Sequence, residues 1–284
     1  MRLWQRFRRG VIDHEGSTRA IALIRVGLVF TMWTRFGELV RPFDSLLPER
    51  LVLSAAFFLI TTLLLVGRWT RVVAPLNALL LLAIYYGFGH GLFGFGAHEP
   101  WTHHHIYAMV MQGVLLAMTP CGRSLSWDRW AALARAERAG EPAPDEVGPL
   151  WATRLMCWQV VTMYLWTAYD KSYLGFLQGD RLGMAAAELY FSGDLPDGVW
   201  FALLLAVLGT STVVIEWLLP VALLFPRTHR VSVPVGLAMH AAFHLLLPVA
   251  TFTGTMWLYY LAIVRPQAVH DVTSRLLGGP HRAT

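Results

Sequence analysis

Lysine is almost missing from this chain. Of its 23 basic residues, 22 are arginine, and the exception is Lys171. A guanidinium keeps its proton at any usable pH, so arginine cannot act as a base. A lysine can, once desolvation disfavours its ammonium form. Base or nucleophile chemistry from a cationic amine is therefore excluded everywhere except at one position. Charge as a whole is scarce: 14% of the residues are charged and 56% are hydrophobic, where a soluble domain carries about 25% charged residues. That balance is the composition of a polytopic membrane protein. The net charge of +5 comes without a basic stripe interleaved with exposed aromatics, and no nucleic-acid partner is expected. Only two cysteines occur, Cys121 and Cys157, and no CxxC, which excludes a disulfide framework beyond one bridge. Internal repeats, low-complexity tracts and a second folded domain are also missing. The basic start MRLWQRFRRG is separated from the first apolar run by a polar stretch, and no small-residue cleavage site follows, so a retained first helix is expected.

What is present is a series of apolar runs. A hydrocarbon core of about 30 Å needs about 20 apolar residues in a helix. Eight segments approach that length: Ala20–Leu39, Leu51–Val66, Val72–Phe93, His104–Thr119, Leu150–Asp170, Trp200–Phe225, Val231–Val249 and Phe252–Val264. The sixth carries Gly209-Thr210-Ser211-Thr212 at its centre, where a kink or break is expected. The predicted fold is an all-α polytopic transmembrane bundle of about eight helices. A segment of residues 1–19 precedes the bundle at 20–266, and a tail of 267–284 follows it. Placing the N-terminus in the cytoplasm puts most arginines inside, among them Arg19, Arg68, Arg71, Arg123, Arg129, Arg135 and Arg154. Only Arg41, Arg50 and Arg181 then fall outside, as the positive-inside rule requires. The main inner loop, 121–148, contains SWDRWAALARAERAG, which reads as an amphipathic surface helix. The outer loop, 172–197, is too polar to span and reads as a re-entrant or interfacial segment.

Against this frame the polar residues stand out. Lys171 ends the fifth segment, roughly 32 Å from its inner end at 1.5 Å per residue. His104 and His105 open the fourth segment from the outer side, and His244 lies in the outer half of the seventh. Tyr164 and Thr167 share a helical face with Lys171, and Gln159 lies about three turns below. Glu216, in the inner half of the sixth segment, needs a partner in lipid, and Arg25 or Arg35 are candidates. His240 and His244 have metal-ligand spacing, but no HExxH glutamate accompanies them, and no metal site is assigned. A histidine hydrogen-bonded to a neighbouring helix is the simpler use of either. A lysine at a helix end also has a simpler use, which is to snorkel to the interface.

These residues carry a resemblance. His105-Ile106-Tyr107 leads through an apolar run to Ser126-Trp127-Asp128. Pro149-Leu150-Trp151 is followed by Gln159, Tyr164, Lys171 and Gly179. Glu216 precedes WLLPVALLFPRTHR, and Phe243-His244 precedes Gly254. In order and spacing these patches resemble the integral membrane part of vitamin K-dependent gamma-carboxylase and its bacterial relatives, grouped as the horizontally transferred transmembrane (HTTM) family. The resemblance implies Lys171 as the base that deprotonates a reduced quinone, a menaquinol or vitamin K hydroquinone, with oxygen and carbon dioxide as co-reactants. It implies His105 as a second catalytic group. Tyr107, Tyr164, Gln159, Glu216, His104, His240 and His244 are pocket or supporting residues. It also implies a bacterial inner-membrane location, with a secreted peptide or protein as possible substrate. The carboxylase's large lumenal region has no counterpart before Thr284, and Asp170 stands where it can raise the basicity of Lys171. Three readings stay open: a quinol-dependent membrane enzyme, a non-catalytic maturation factor on the same fold, and a histidine-based metal or haem protein.

Overall fold

The computed structural model describes residues 14–37, 40, 48–90, 104–247 and 249–277. Residues 1–13 of the expected N-terminal segment, the end of the tail at 278–284, and the side chain of His104 lie outside the described residues. Of the described residues, 78% are helical. Among the described residues the helices are α1 (Arg19–Phe36), α2 (Pro48–Val66), α3 (Thr70–Leu82), α4 (His104–Ala117), α5 (Trp127–Ala139) and α6 (Trp151–Lys171). They continue with α7 (Leu174–Leu177), α8 (Asp180–Tyr190), α9 (Val199–Leu223), α10 (His229–Leu246), α11 (Ala250–Ile263) and α12 (Pro266–Leu276). Each of the eight apolar segments coincides with one helix. By length and composition two of them can cross a membrane, Thr70–Gly87 and Val199–Leu223, and Leu51–Val66 and His105–Ala117 are shorter apolar helices.

The structure is consistent with the all-α class, and four local features add to or differ from the sequence expectations. Beside the helices, β1 (Glu15–Ser17) pairs antiparallel with β2 (Val147–Pro149), with Gly16 opposite Gly148. The pairing is too short to leave an alternating pattern, and it is clamped at both ends by Thr18 N donating to Glu146 O and Leu150 N donating to His14 O. The third segment does not stay α-helical; it passes into a π-helical turn at Ala83–Gly89. The sixth does not break. Helix α9 runs unbroken, and Gly209 instead gives room for the Phe176 carbonyl, which a Cβ there would strike. In the tail, α12 forms and buries Val269 and Thr273.

The chain divides into two compact units, one formed by residues up to Cys157 with those from Gly254 onward, the other by Trp158–Thr253. In the first, Ile21, Ile24, Leu28 and Met32 of α1 are fully buried with Phe57 and Leu64 of α2 and Leu81 of α3. Helix α3 shows its periodicity plainly. Val73, Ala74, Asn77, Ala78 and Leu81 are buried, whereas Val72, Leu76 and Leu79 are exposed.

The loop from α4 to α5 is held by specific caps. Ser126 accepts from Arg129 N at 2.9 Å and so starts α5. Asp128 accepts from Trp69 N and Thr70 N, both at 2.8 Å, and from the Thr70 hydroxyl at 2.6 Å, and so caps α3. Arg25, fully buried in α1, donates to Cys121 O at 2.7 Å and to Leu125 O at 2.5 Å. The S-x-D patch read from the sequence is thus a double helix cap. Burial pushes the Cys121 thiol up to about 11, so it stays a protonated, inert core group.

Candidate active site

The second unit holds the lone lysine. Lys171 closes α6, and its Nζ donates to Glu216 Oε1 of α9 at 2.6 Å. The lysine side chain is 25% exposed and the glutamate 3%. A pair this short and this enclosed is a charge-assisted bond in a poorly solvating environment. The Lys171 ammonium also lies 5.7 Å from the ring centroid of Phe176 in α7 and 5.6 Å from that of Phe243 in α10. Two aromatic faces and one carboxylate therefore surround it.

Neighbouring groups fix this geometry. The Ser172 hydroxyl donates back to Ala168 O at 2.6 Å and accepts from Trp217 Nε1 at 3.1 Å, which ties the end of α6 to α9 beside the ion pair. The Thr167 hydroxyl donates to Tyr164 O at 3.1 Å and lies by the Glu216 carboxylate. Gly179 takes φ +88° between α7 and α8, and a Cβ there would strike the Leu205 backbone. With Gly209 against Phe176, this lets α7 and α8 pack on the first half of α9 and sets Phe176 over the lysine.

Two turns back along α6, Tyr164 forms the second polar link. Its hydroxyl meets His240 Nε2 of α10 at 2.7 Å, both residues buried. The His240 ring packs edge-on against Phe243 (centroids 5.9 Å apart) and Phe252 (5.2 Å), and Thr253 donates to its carbonyl oxygen at 3.1 Å. Phe243 therefore touches both polar pairs.

Several sequence assignments change place. Glu216 finds its partner in Lys171, not in Arg25 or Arg35; Arg25 is committed to loop carbonyls. Lys171 closes α6 and Glu216 lies 17 residues into α9, with α7 and α8 packed on the N-terminal part of α9. Lys171 is thus held by a carboxylate of a neighbouring helix, with its side chain one-quarter exposed. Asp170 is exposed, and the carboxylate that pairs with the lysine is Glu216. His244, one turn beyond His240, is exposed, while Gln159 is half-buried three turns before Lys171. Among the described residues no three His, Cys, Asp or Glu side chains are grouped to hold a metal ion.

His105 and Tyr107 belong to the first unit. His105 is half-buried at the start of α4, and Tyr107 is exposed with its ring 5.9 Å from that of Tyr85. The π-helical turn brings Tyr85, Tyr86 and His90 into one cluster, with centroids 4.9 to 5.8 Å apart. π-Turns interrupt helices mostly where side chains must be re-aimed, often for function. No spacing rule pointed to this cluster, because a π-turn shifts the helical register that such rules assume. Phe176, Ser172 and Trp217 were equally hidden, since apolar and small polar residues carry no chemical signature in a membrane sequence.

A family model described as the HTTM domain matches residues 97–267, well over half of the chain. The chain belongs to the HTTM domain family. No curated protein and no solved structure matches it. The HTTM region takes in His105, the α4–α5 loop, all of the second unit and both polar pairs. Likeness to the vitamin K-dependent carboxylase is a general property of HTTM domains, and a membrane location follows from the family and the two long apolar helices.

Proposed function

We propose that this HTTM protein is a bacterial inner-membrane enzyme that takes a proton from a lipid-soluble quinol at the Lys171–Glu216 pair. The observation that carries the reading is the 2.6 Å contact between Lys171 Nζ and the buried Glu216 carboxylate, under the rings of Phe176 and Phe243. An ammonium has no lone pair with which to accept a proton. A neutral amine beside a carboxylic acid does, and the exchange needs only the motion of one proton across the hydrogen bond. The pair thus works as a unit. Glu216 Oε1 first takes a proton from Lys171 Nζ, and the neutral amine so formed then takes the incoming proton, so the pair ends as an ammonium beside a carboxylic acid. A phenolic proton, with an ordinary pKa of about 10, is within reach of such a base once water is excluded.

The aromatic surroundings suit a quinone ring: the centroids of Phe176 and Phe243 lie 5.7 and 5.6 Å from the amine. A bound menaquinol or vitamin K hydroquinone would supply the acidic proton and two electrons, with oxygen and carbon dioxide as further reactants on the family pattern. Tyr164 and His240 hold Phe243 in place and form the wall nearest the pair. His105 is assigned the role of second catalytic group on the family resemblance. Further parts of this reading are eight spans, both termini in the cytoplasm and a secreted peptide or protein as the group modified.

The test is quinol consumption by purified protein in nanodiscs. Lys171→Arg keeps the positive charge and the pair with Glu216 but not the capacity to cycle a proton. The variant is expected to lose at least about 100-fold in turnover, the scale of general-base catalysis, while its melting temperature stays near wild type. Full activity in Lys171→Arg would reject the assignment. The ion pair favours one other reading, a helix pin in a non-catalytic maturation factor. Under that reading no quinol turnover occurs in wild type, and Lys171→Arg preserves the maturation phenotype.

A further inference from the structure

At the α2–α3 turn of the first unit, three tryptophans and two arginines share one exposed surface. Trp69, Trp127 and Trp130 are exposed, and so are Arg68 and Arg71. The Arg68 guanidinium is held over the Trp69 ring at 4.3 Å and faces the Trp127 ring at 5.7 Å; Trp127 and Trp130 are 5.0 Å apart. Among the described residues no carboxylate forms an ion pair with Arg68 or Arg71. Asp128, beside Trp127 in the chain, is consumed by the α3 cap. The backbone here is unusual as well. Trp69 sits at φ +53°, in the left-handed region that bulky residues avoid, and Leu125 at +48°. The Asp128 cap holds Trp69 in that conformation.

An apolar stripe begins at this turn. Val66 is exposed just before it, and Val72, Leu76 and Leu79 follow along one face of α3 at helical spacing. Apolar chain contacts next to an arginine pair, with indoles between, reproduce the layering of a phospholipid: acyl tail, interfacial glycerol, phosphate. We propose that this surface binds an anionic phospholipid, with its phosphate on Arg68 and Arg71, its glycerol region against Trp69, Trp127 and Trp130, and a tail along Val72, Leu76 and Leu79. The guanidinium pinned by two indoles is pre-organised, so little side-chain entropy is lost when the phosphate arrives. The positive charge and the missing counter-charge select an anionic headgroup over a zwitterionic one. The site is independent of the Lys171–Glu216 pair.

The test is native mass spectrometry of full-length protein equilibrated in mild detergent with equimolar phosphatidylglycerol and phosphatidylcholine. Wild type is expected to retain phosphatidylglycerol preferentially. The Arg68→Gln/Arg71→Gln variant is expected to lose that preference by about fivefold per arginine, the ratio equivalent to about 1 kcal/mol of headgroup attraction. Arg71→Gln alone, which disturbs no ring contact, is expected to lose about fivefold and serves where the double variant does not fold. Arg135→Gln/Arg138→Gln removes equal charge from α5 and is expected to change nothing. Equal retention of both lipids by wild type overturns the proposal. So does retention unchanged in Arg71→Gln, or an equal loss in the α5 variant, which would show only diffuse charge.

Discussion

Removing Lys171 and removing Glu216 should not be equivalent to removing both. Lys171→Met leaves the Glu216 carboxylate buried without its cation. Glu216→Leu leaves a lysine that is one-quarter exposed and can turn toward water. Breaking a buried pair costs about 3–5 kcal/mol, and the exposure of Lys171 puts this one at the lower end or below. The double variant, with two apolar residues of similar volume, should be more stable than Lys171→Met alone. Thermal or denaturant unfolding of the three variants in one detergent measures the coupling; additive losses would mean that the two side chains do not act as a pair. At this scale the sequence singled out all four residues of the two contacts but not their pairing. Lys171 stood out by being the lone lysine, and Tyr164 by sharing its helical face. Their partners, 45 and 76 residues away, could not be read from spacing along the chain. Glu216 was recognisable as a residue in need of a counter-charge, yet the choice between Lys171 and two arginines depends on how α9 slides past α6.

Elements were more legible than contacts, because a run of apolar residues long enough for a bilayer has few alternatives to a helix. Within the described residues all eight runs are helical, and two of those helices are long and apolar enough to cross a membrane. The departures come where a local signal competes with packing. Gly209-Thr210-Ser211-Thr212 reads as a weak point in isolation, but the glycine is needed for the close approach of α7, and the helix continues through it. The α4–α5 loop carries a prediction of its own. Asp128→Ala deprives α3 of three bonds at its N-terminus, to Trp69 N, Thr70 N and the Thr70 hydroxyl. A cap is worth about 1–2 kcal/mol, and the loss should appear in hydrogen exchange as faster exchange at residues 69–72, with α6 and α9 unaffected. Unchanged exchange there would remove Asp128 from the architecture. Asp128→Asn, which keeps an acceptor, should retain much of the protection.

For the whole molecule, the arginine asymmetry gives a topology that the helices can be tested against. Arg68, Arg71 and the arginines of α5 are expected on the cytoplasmic side, together with the proposed lipid surface. An epitope inserted at 140–145, within the loop after α5, should be hidden in intact cells and accessible after permeabilisation. Accessibility in intact cells would invert the orientation. The composition announced a membrane protein at once, and the family match over residues 97–267 agrees with it. The division into two units, the strand pair and the helical tail were not legible. They rest on backbone pairings and caps that use ordinary residues such as His14, Thr18 and Glu146.

The central claim is that Glu216 ends the reaction protonated, holding a proton handed over by Lys171, whose amine takes the one from the quinol. Infrared difference spectroscopy of the protein in nanodiscs, before and after addition of a quinol, observes this directly through the carbonyl stretch of a buried carboxylic acid. The account predicts that such a band appears on quinol addition in wild type and is missing in Glu216→Gln. Quinol turnover without that band, or the same band persisting in Glu216→Gln, would contradict it.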